Sequence, residues 1–116
     1  YDHERAEPIP LPFRKKYLLR NKEKNLVRIS PTLRSLIKFR RLNLMDKEFW
    51  LSEKVDLIFF RNVMIYFDRS TQEQVLNRMC KHLVRNGHIF IGHSETLNGL
   101  HVPLTPITAT VYRHIR

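Results

Sequence analysis

Asp56-Leu57-Ile58-Phe59-Phe60-Arg61-Asn62-Val63-Met64-Ile65-Tyr66-Phe67-Asp68 is the stretch on which the fold turns. Four apolar residues after Asp56 stop at Arg61-Asn62, and apolar sequence resumes at Val63. A continuous apolar run of this length reads as a strand buried on both faces, as inside a parallel sheet. Open α/β sheets bind ligands in the crevice beyond the C-terminal ends of their strands. A guanidinium and a carboxamide placed there predict an architecture and a place for chemistry together.

The sequence after this run supports the same architecture. Ser70-Thr71-Gln72-Glu73 has capping-box spacing, which predicts a helix opening at Ser70. Val75, Leu76, Met79, Cys80, Leu83 and Val84 form one apolar stripe at helical spacing. Asn86-Gly87 predicts the helix stop, with Gly87 in the left-handed position after the cap. His88–Ile91 is a second short apolar strand, so the order strand, helix, strand predicts a parallel βαβ unit. Ile107–His114, after Pro103 and Pro106, predicts a last strand. Met45, Trp50 and Met79 are expected in the core, with residues 45–52 a short helix or loop packed on it.

Upstream, residues 1–13 are polar, carry Pro8, Pro10 and Pro12, and predict an extended connector. Residues 16–20 and 26–30, separated by Asn21-Lys22-Glu23-Lys24-Asn25, predict a β-hairpin with a charged loop. Residues 31–36 predict a turn or a single helical turn, and Ile37–Leu42 a strand.

With 116 residues, 42% of them hydrophobic and 28% charged, the chain has room for one small domain. The one cysteine, Cys80, excludes an internal disulfide and any multi-cysteine metal site. His82, His88 and His101 lack metal-ligand spacing, so no metal is expected. No apolar stretch approaches the ~18 residues of a membrane-spanning helix, and no signal-peptide core follows Tyr1, so a cytoplasmic chain without membrane insertion is expected. Tyr1 in place of Met raises the expectation of a fragment or a processed product. The net charge of +10 is uneven: residues 1–41 hold 12 Lys and Arg against 4 Asp and Glu, residues 42–116 hold 9 against 7. Such asymmetry suits a polyanionic partner or a solvated basic face.

FFRNVMIYFD at 59–68, the helical segment after it, and HIFIGHSETL at 88–97 together resemble the C-terminal half of the chemotaxis-receptor glutamate O-methyltransferases (CheR-type). LIKFRRLNLMD at 36–46 resembles the strand and Asn-Leu turn that precede this half, and TATVYRH at 108–114 its closing strand. The resemblance covers residues 15–114. It implies α/β architecture, the C-terminal half of a Rossmann-like methyltransferase sheet, with a small antiparallel β-hairpin flap. The implied division is a connector at 1–14, the flap at 15–35 and the methyltransferase part at 36–116. The Gly-rich cofactor loop of the family has no counterpart: Gly87, Gly92 and Gly99 are the only glycines, and none makes such a loop. The chain therefore resembles a later half or fragment, with little cofactor affinity expected of it alone.

The resemblance also implies S-adenosyl-L-methionine as cofactor and S-adenosyl-L-homocysteine as product. It places Asn43, Leu44, Arg61 and Asn62 on the cofactor, Arg61 and Tyr66 in catalysis, and the Tyr66 hydroxyl on the substrate glutamate. A glutamate carboxylate, with an ordinary pKa of about 4.3, is already ionised at neutral pH. Methyl transfer to it needs alignment and exclusion of water rather than a strong base, and no catalytic triad stands out. His93, Ser94 and Glu95 are expected as a loop shaping the substrate entrance. The implied partners are the glutamate-rich cytoplasmic helices of methyl-accepting chemotaxis receptors, which a basic face would steer. In some members a glycine-bearing flap loop grips a receptor tether peptide; Asn21–Asn25 has no glycine. Self-association through the exposed edge of a half-sheet is a further expectation.

Other readings stay open. A nucleic-acid-binding module would interleave stacking aromatics with its basic residues, and residues 14–41 offer only Tyr17 and Phe39, so nucleic acid is not the expected partner. A non-catalytic regulatory or interaction fragment of the same fold, or a methyltransferase of that fold acting on RNA or a small molecule, is also compatible with these residues.

Overall fold

A computed structural model describes residues 1–116, which divide into two units at Arg41 and Leu42. In the first, β1 (Leu18–Asn21) and β2 (Leu26–Ile29) form the expected antiparallel hairpin, with Leu18 opposite Ile29 and Asn21 opposite Leu26. Its turn lacks glycine, and Asn25 takes the left-handed conformation instead, at φ 51°; Asn tolerates this region better than most residues. The Asn21 carboxamide oxygen accepts the Lys24 N–H at 3.1 Å and holds the turn.

Residues 1–13 are not an extended connector. The Tyr1 carbonyl accepts the Val27 N–H at 2.8 Å and the Tyr1 ammonium donates to the Val27 carbonyl at 3.1 Å, which pairs the N-terminus with β2. A 3-10 turn spans His3–Ala6, and α1 spans Leu11–Tyr17. The prolines that suggested extension instead start α1, with Pro10 at its cap and Pro12 in its first turn. A proline costs nothing there, because first-turn N–H groups have no partner inside the helix. α2 (Pro31–Arg34) is the expected single helical turn. Ile37–Leu42 joins no ladder, against expectation, and Phe39 is 93% exposed. A strand needs a neighbour for its backbone groups, and neither sheet supplies one.

In the second unit, β3 (Val55–Phe60), α3 (Arg69–Cys80), β4 (Leu83–Ile91), β5 (Leu104–Thr108) and β6 (Val111–His114) form a four-stranded sheet with one helix. The strand order is β3-β4-β6-β5. β3 and β4 are parallel, as the βαβ pattern predicted, with Phe60 opposite Ile91. The last strand, expected as one piece over 107–114, is a hairpin: β6 runs antiparallel to both β4 and β5. Pro106 fits because β5 is an edge strand, where a missing donor is tolerated.

Several boundaries differ from expectation. The helix cap is Asp68, whose carboxylate accepts the Thr71 N–H at 2.8 Å, rather than Ser70. Glu73, expected to complete a capping box, accepts the His101 N–H at 3.1 Å. The helix ends at Cys80, so Leu83 and Val84 belong to β4. Asn86-Gly87 shapes an irregularity inside β4, where the pairing moves from Val55–Leu83 to Leu57–His88. Asn86 carries the positive φ, 64°, and a Cβ on Gly87 would lie 2.9 Å from the Asp56 carbonyl oxygen.

The core lies on one face of this sheet, where Phe60, Ile89, Ile91 and Tyr112 meet Met64, Val75, Leu76 and Leu97. Met79 packs against it as expected. Met45 and Trp50 do not: Trp50 is 82% exposed, and the neighbouring Phe49 is the buried side chain of that loop, beside the His82 ring. β3 is not buried on both faces. It is the outermost strand, and Leu57 and Phe59 are 51% and 69% exposed while Ile58 and Phe60 turn to the core. Its outer face carries no helical layer; Phe59 only stacks on Phe90 of β4, centroids 4.7 Å apart.

Candidate functional site

The parallel pairing of β3 and β4 brings two chain reversals side by side. β3 runs out at Phe60 into Arg61-Asn62, and β4 at Ile91 into Gly92-His93-Ser94-Glu95. Glu95 joins them. One of its carboxylate oxygens, Oε1, accepts the Asn62 N–H at 2.5 Å and the Gly92 N–H at 3.1 Å. Its own N–H donates to the Gly92 carbonyl at 3.1 Å, closing the turn. Glu95 is buried, and its second oxygen, Oε2, is buried without a partner.

Asn62 sits at φ 61°. Gly92 is required by approach rather than by φ: a Cβ there would lie 2.4 Å from Asn62 Oδ1 and 2.5 Å from Glu95 Oε1. A strained residue, a glycine cradle and a half-satisfied buried carboxylate thus converge at the ends of two parallel strands, the position at which open α/β sheets bind ligands.

The Arg61 and Asn62 side chains are exposed, and neither forms a hydrogen bond or ion pair within the chain. Tyr66 lies on a 3-10 turn, Met64–Tyr66, and is 80% exposed. That turn is anchored by buried Met64 and by Gln72 of α3, whose amide donates to the Met64 carbonyl at 2.9 Å and the Phe67 carbonyl at 3.1 Å. Arg69, at the start of α3, donates to the Thr96 carbonyl at 3.0 Å and to the Asn98 carbonyl, which ties the helix to the segment beyond Glu95.

Asn43 spends its carboxamide oxygen locally, accepting the Met45 N–H at 2.9 Å in an Asx turn. Leu44 packs against the core, and its carbonyl accepts from Arg78 of α3 at 3.0 Å. No hydrogen bond joins Asn43 or Leu44 to Arg61 or Asn62. Among the predicted residues, Arg61, Asn62 and Tyr66 therefore share one short segment, while Asn43 and Leu44 are organised around α3. Because β3 is outermost, only β4 flanks its end within the sheet.

Residue-type reasoning underrated Glu95, Gly92 and Gln72. A glycine directly after an apolar strand, followed three residues on by a carboxylate, was the available signal for the first two. The chemistry on offer is recognition rather than acid–base work. Burial pushes the Cys80 thiol up to about 11, and the hydroxyl of Ser94 and the ring of His93 are exposed without hydrogen bonds to each other. A guanidinium fork such as that of Arg61 matches a carboxylate, and a carboxamide such as that of Asn62 both donates and accepts. In the first unit, an open groove of about 1060 Å³ is lined by apolar residues of the hairpin with Arg20, Arg28 and Arg34.

Residues 1–113 match the family profile described as the CheR methyltransferase, SAM binding domain. Chemotaxis protein methyltransferase 2 of Pseudomonas aeruginosa is 39% identical over 114 residues, covering 97% of this chain and 41% of the relative. The chemotaxis protein methyltransferase of Borreliella burgdorferi is 38% identical over 99 residues, 85% of this chain and 35% of the relative. That of Escherichia coli is 36% identical over 114 residues, 97% of this chain and 40% of the relative. The chain thus spans well under half the length of the curated relatives it matches. Its mixed α/β sheet and antiparallel hairpin accord with a Rossmann-like methyltransferase part. Matched over residues 1–113 by that SAM-binding domain, the chain belongs to the CheR methyltransferase family.

Proposed function

We propose that this chain forms the C-terminal part of an S-adenosylmethionine-dependent protein-glutamate O-methyltransferase that acts on chemotaxis receptors. The observation that carries the reading is the pinned end of β3, where Arg61 and Asn62 stand exposed and unpaired beside the Glu95 turn. The cofactor, when bound, supplies an electrophilic methyl group. Arg61 and Asn62 hold polar groups of its amino-acid end. Tyr66, on the turn anchored by Gln72, lends its hydroxyl to the incoming glutamate carboxylate. That carboxylate arrives ionised, so the residues orient and exclude water rather than move a proton.

Residues 15–35 serve as the flap. The basic first unit attracts the glutamate-rich cytoplasmic helices of the receptor, and the reaction takes place in the cytoplasm; no helix is long and apolar enough to cross a membrane. The open edge of β3 and its exposed Leu57 and Phe59 support self-association of the chain on its own.

Calorimetry tests the reading. S-adenosylhomocysteine is titrated into this chain, and into a fusion carrying the N-terminal portion of the Pseudomonas aeruginosa relative ahead of Tyr1. Binding by the fusion, reduced at least tenfold by Arg61→Ala or Asn62→Ala, supports it; a folded fusion that ignores the ligand refutes it. Transfer of labelled methyl to a receptor cytoplasmic fragment, diminished in Tyr66→Phe, tests the substrate assignment, and label on RNA instead would overturn it.

A further inference from the structure

The carboxylate of Glu95 has a role that its place in an entrance loop does not explain. A loop-shaping residue would be wetted or fully paired; Glu95 is 8% exposed, with one oxygen holding two backbone N–H groups and the other holding none. An incompletely satisfied buried carboxylate is costly, and folds that need only to close a turn have cheaper means. The two N–H groups it accepts belong to different strands, Asn62 beyond β3 and Gly92 beyond β4.

The Asn62 N–H is the group whose direction depends most on that residue's left-handed φ of 61°. Asparagine visits this region at a cost, and it stays there when the surroundings over-determine it. The 2.5 Å bond to Glu95 is the contact that does so. Gly92 lets the two approach, since any larger residue would place a carbon 2.5 Å from Glu95 Oε1. Once the backbone of Asn62 is fixed, the direction in which its Cα–Cβ bond leaves the chain is fixed with it.

We propose that Glu95 is the positioning residue of the cofactor site: it locks Asn62 in the left-handed conformation and ties the ends of β3 and β4 together, so that the strand end carrying Arg61 and Asn62 is set before the ligand arrives. This rests on the cofactor reading above. Preorganisation of this kind lowers the ordering cost at binding.

The test has an arm that needs no ligand. In this chain, Glu95→Ala is expected to speed hydrogen exchange of the Asn62 amide at least tenfold and to shift its proton resonance upfield, while the amides of Leu76 and Ile89 keep their protection. Glu95→Gln, which retains an acceptor of the same reach, is expected to restore most of the Asn62 protection. In the fusion, Glu95→Ala is expected to weaken S-adenosylhomocysteine binding at least tenfold, and Glu95→Gln to recover most of it. Unchanged Asn62 exchange in Glu95→Ala overturns the lock. Faster exchange with unchanged affinity overturns the positioning role and leaves the cofactor reading standing. Loss of protection at Leu76 and Ile89 in both variants makes Glu95 a folding residue and overturns it too. A wild-type fusion without affinity ends both readings.

Discussion

Gly92→Ala puts the joined strand ends under the most direct stress. The added Cβ would meet Asn62 Oδ1 at 2.4 Å, Glu95 Oε1 at 2.5 Å and the Asn62 nitrogen at 3.1 Å, against an ordinary contact of 3.4–4 Å. The first contact is cheap to relieve, because the exposed Asn62 carboxamide can rotate. The second is not, because Glu95 Oε1 is held by two N–H groups at 2.5 and 3.1 Å. If the carboxylate withdraws, hydrogen bonds to a charged acceptor are lost, each worth about 1.5–3 kcal/mol. If it stays, the strand ends must part, an overpacking strain of about 1–3 kcal/mol. The smaller penalty governs, so the destabilisation should fall at about 1–3 kcal/mol. Gly99→Ala is the comparison: nothing lies nearer than 3.8 Å to its Cβ, and only its φ of 81° opposes substitution, a strain of about 1–2 kcal/mol. Urea unfolding followed through the β4 and α3 amide signals measures both. Gly92→Ala costing less than about 0.5 kcal/mol would refute the reasoning that Glu95 is held rigidly.

Three other outcomes are expected. The hydrogen bonds from Thr71 lower the Asp68 pKa below 3.8, so its cap stabilises α3 fully above that ordinary value and is lost as pH falls through the lowered one; Asp68→Ala should lower the melting temperature at pH 7 and remove that part of the acid dependence. Cys80, raised from 9.0 to about 11 by burial, should react with iodoacetamide at pH 8 about a hundredfold more slowly than a free thiol, and its contribution to stability, whole below pH 9, should fade as pH rises through about 11; alkylation as fast as in urea would contradict its burial. Phe59→Lys, at a 69% exposed position on the open strand, should leave the melting temperature within a few degrees and reduce self-association in sedimentation; a wild-type chain that stays monomeric at high concentration would remove the basis for that expectation.

Local pattern made some elements legible and misplaced their ends. The stripe Val75, Leu76, Met79 and Cys80 found α3 because its period is intrinsic to the segment. Its start was misread because Asp68 and Ser70 are both good caps, and the choice between them is tertiary: Glu73, which would have served Ser70, is engaged by the His101 N–H. Asn86-Gly87 has the residues of a helix stop, but the close approach of the Asp56 carbonyl puts it inside β4. Ile37–Leu42 has the composition of a strand, and composition cannot supply a neighbour. At the site, Arg61 and Asn62 stand out because they interrupt apolar sequence, and Tyr66 only through the family resemblance; Glu95 does not, since its partners lie 33 residues away at Asn62 and three away at Gly92.

The contrast between the composition of β3 and its surroundings bears on the site itself. A strand with one wet face ordinarily alternates apolar and polar residues. Leu57 and Phe59 break that rule, and both lie on the face without a helical layer. The sequence thus describes a strand that is stable when covered on both sides, and residues 42–116 cover one. The same uncovered flank leaves the Arg61, Asn62 and Tyr66 side chains free of intrachain partners, while Glu95 holds the Asn62 N–H and Gln72 holds the Met64 and Phe67 carbonyls on either side of Tyr66. Rigid backbone with unpaired side chains is the condition of half a binding site: one wall preset, the opposing contacts to be met by whatever layer and ligand close over it. Under the proposed reading, Arg61 and Asn62 would form one wall of the cofactor site, and a layer over the open flank of β3 would be needed before affinity emerges.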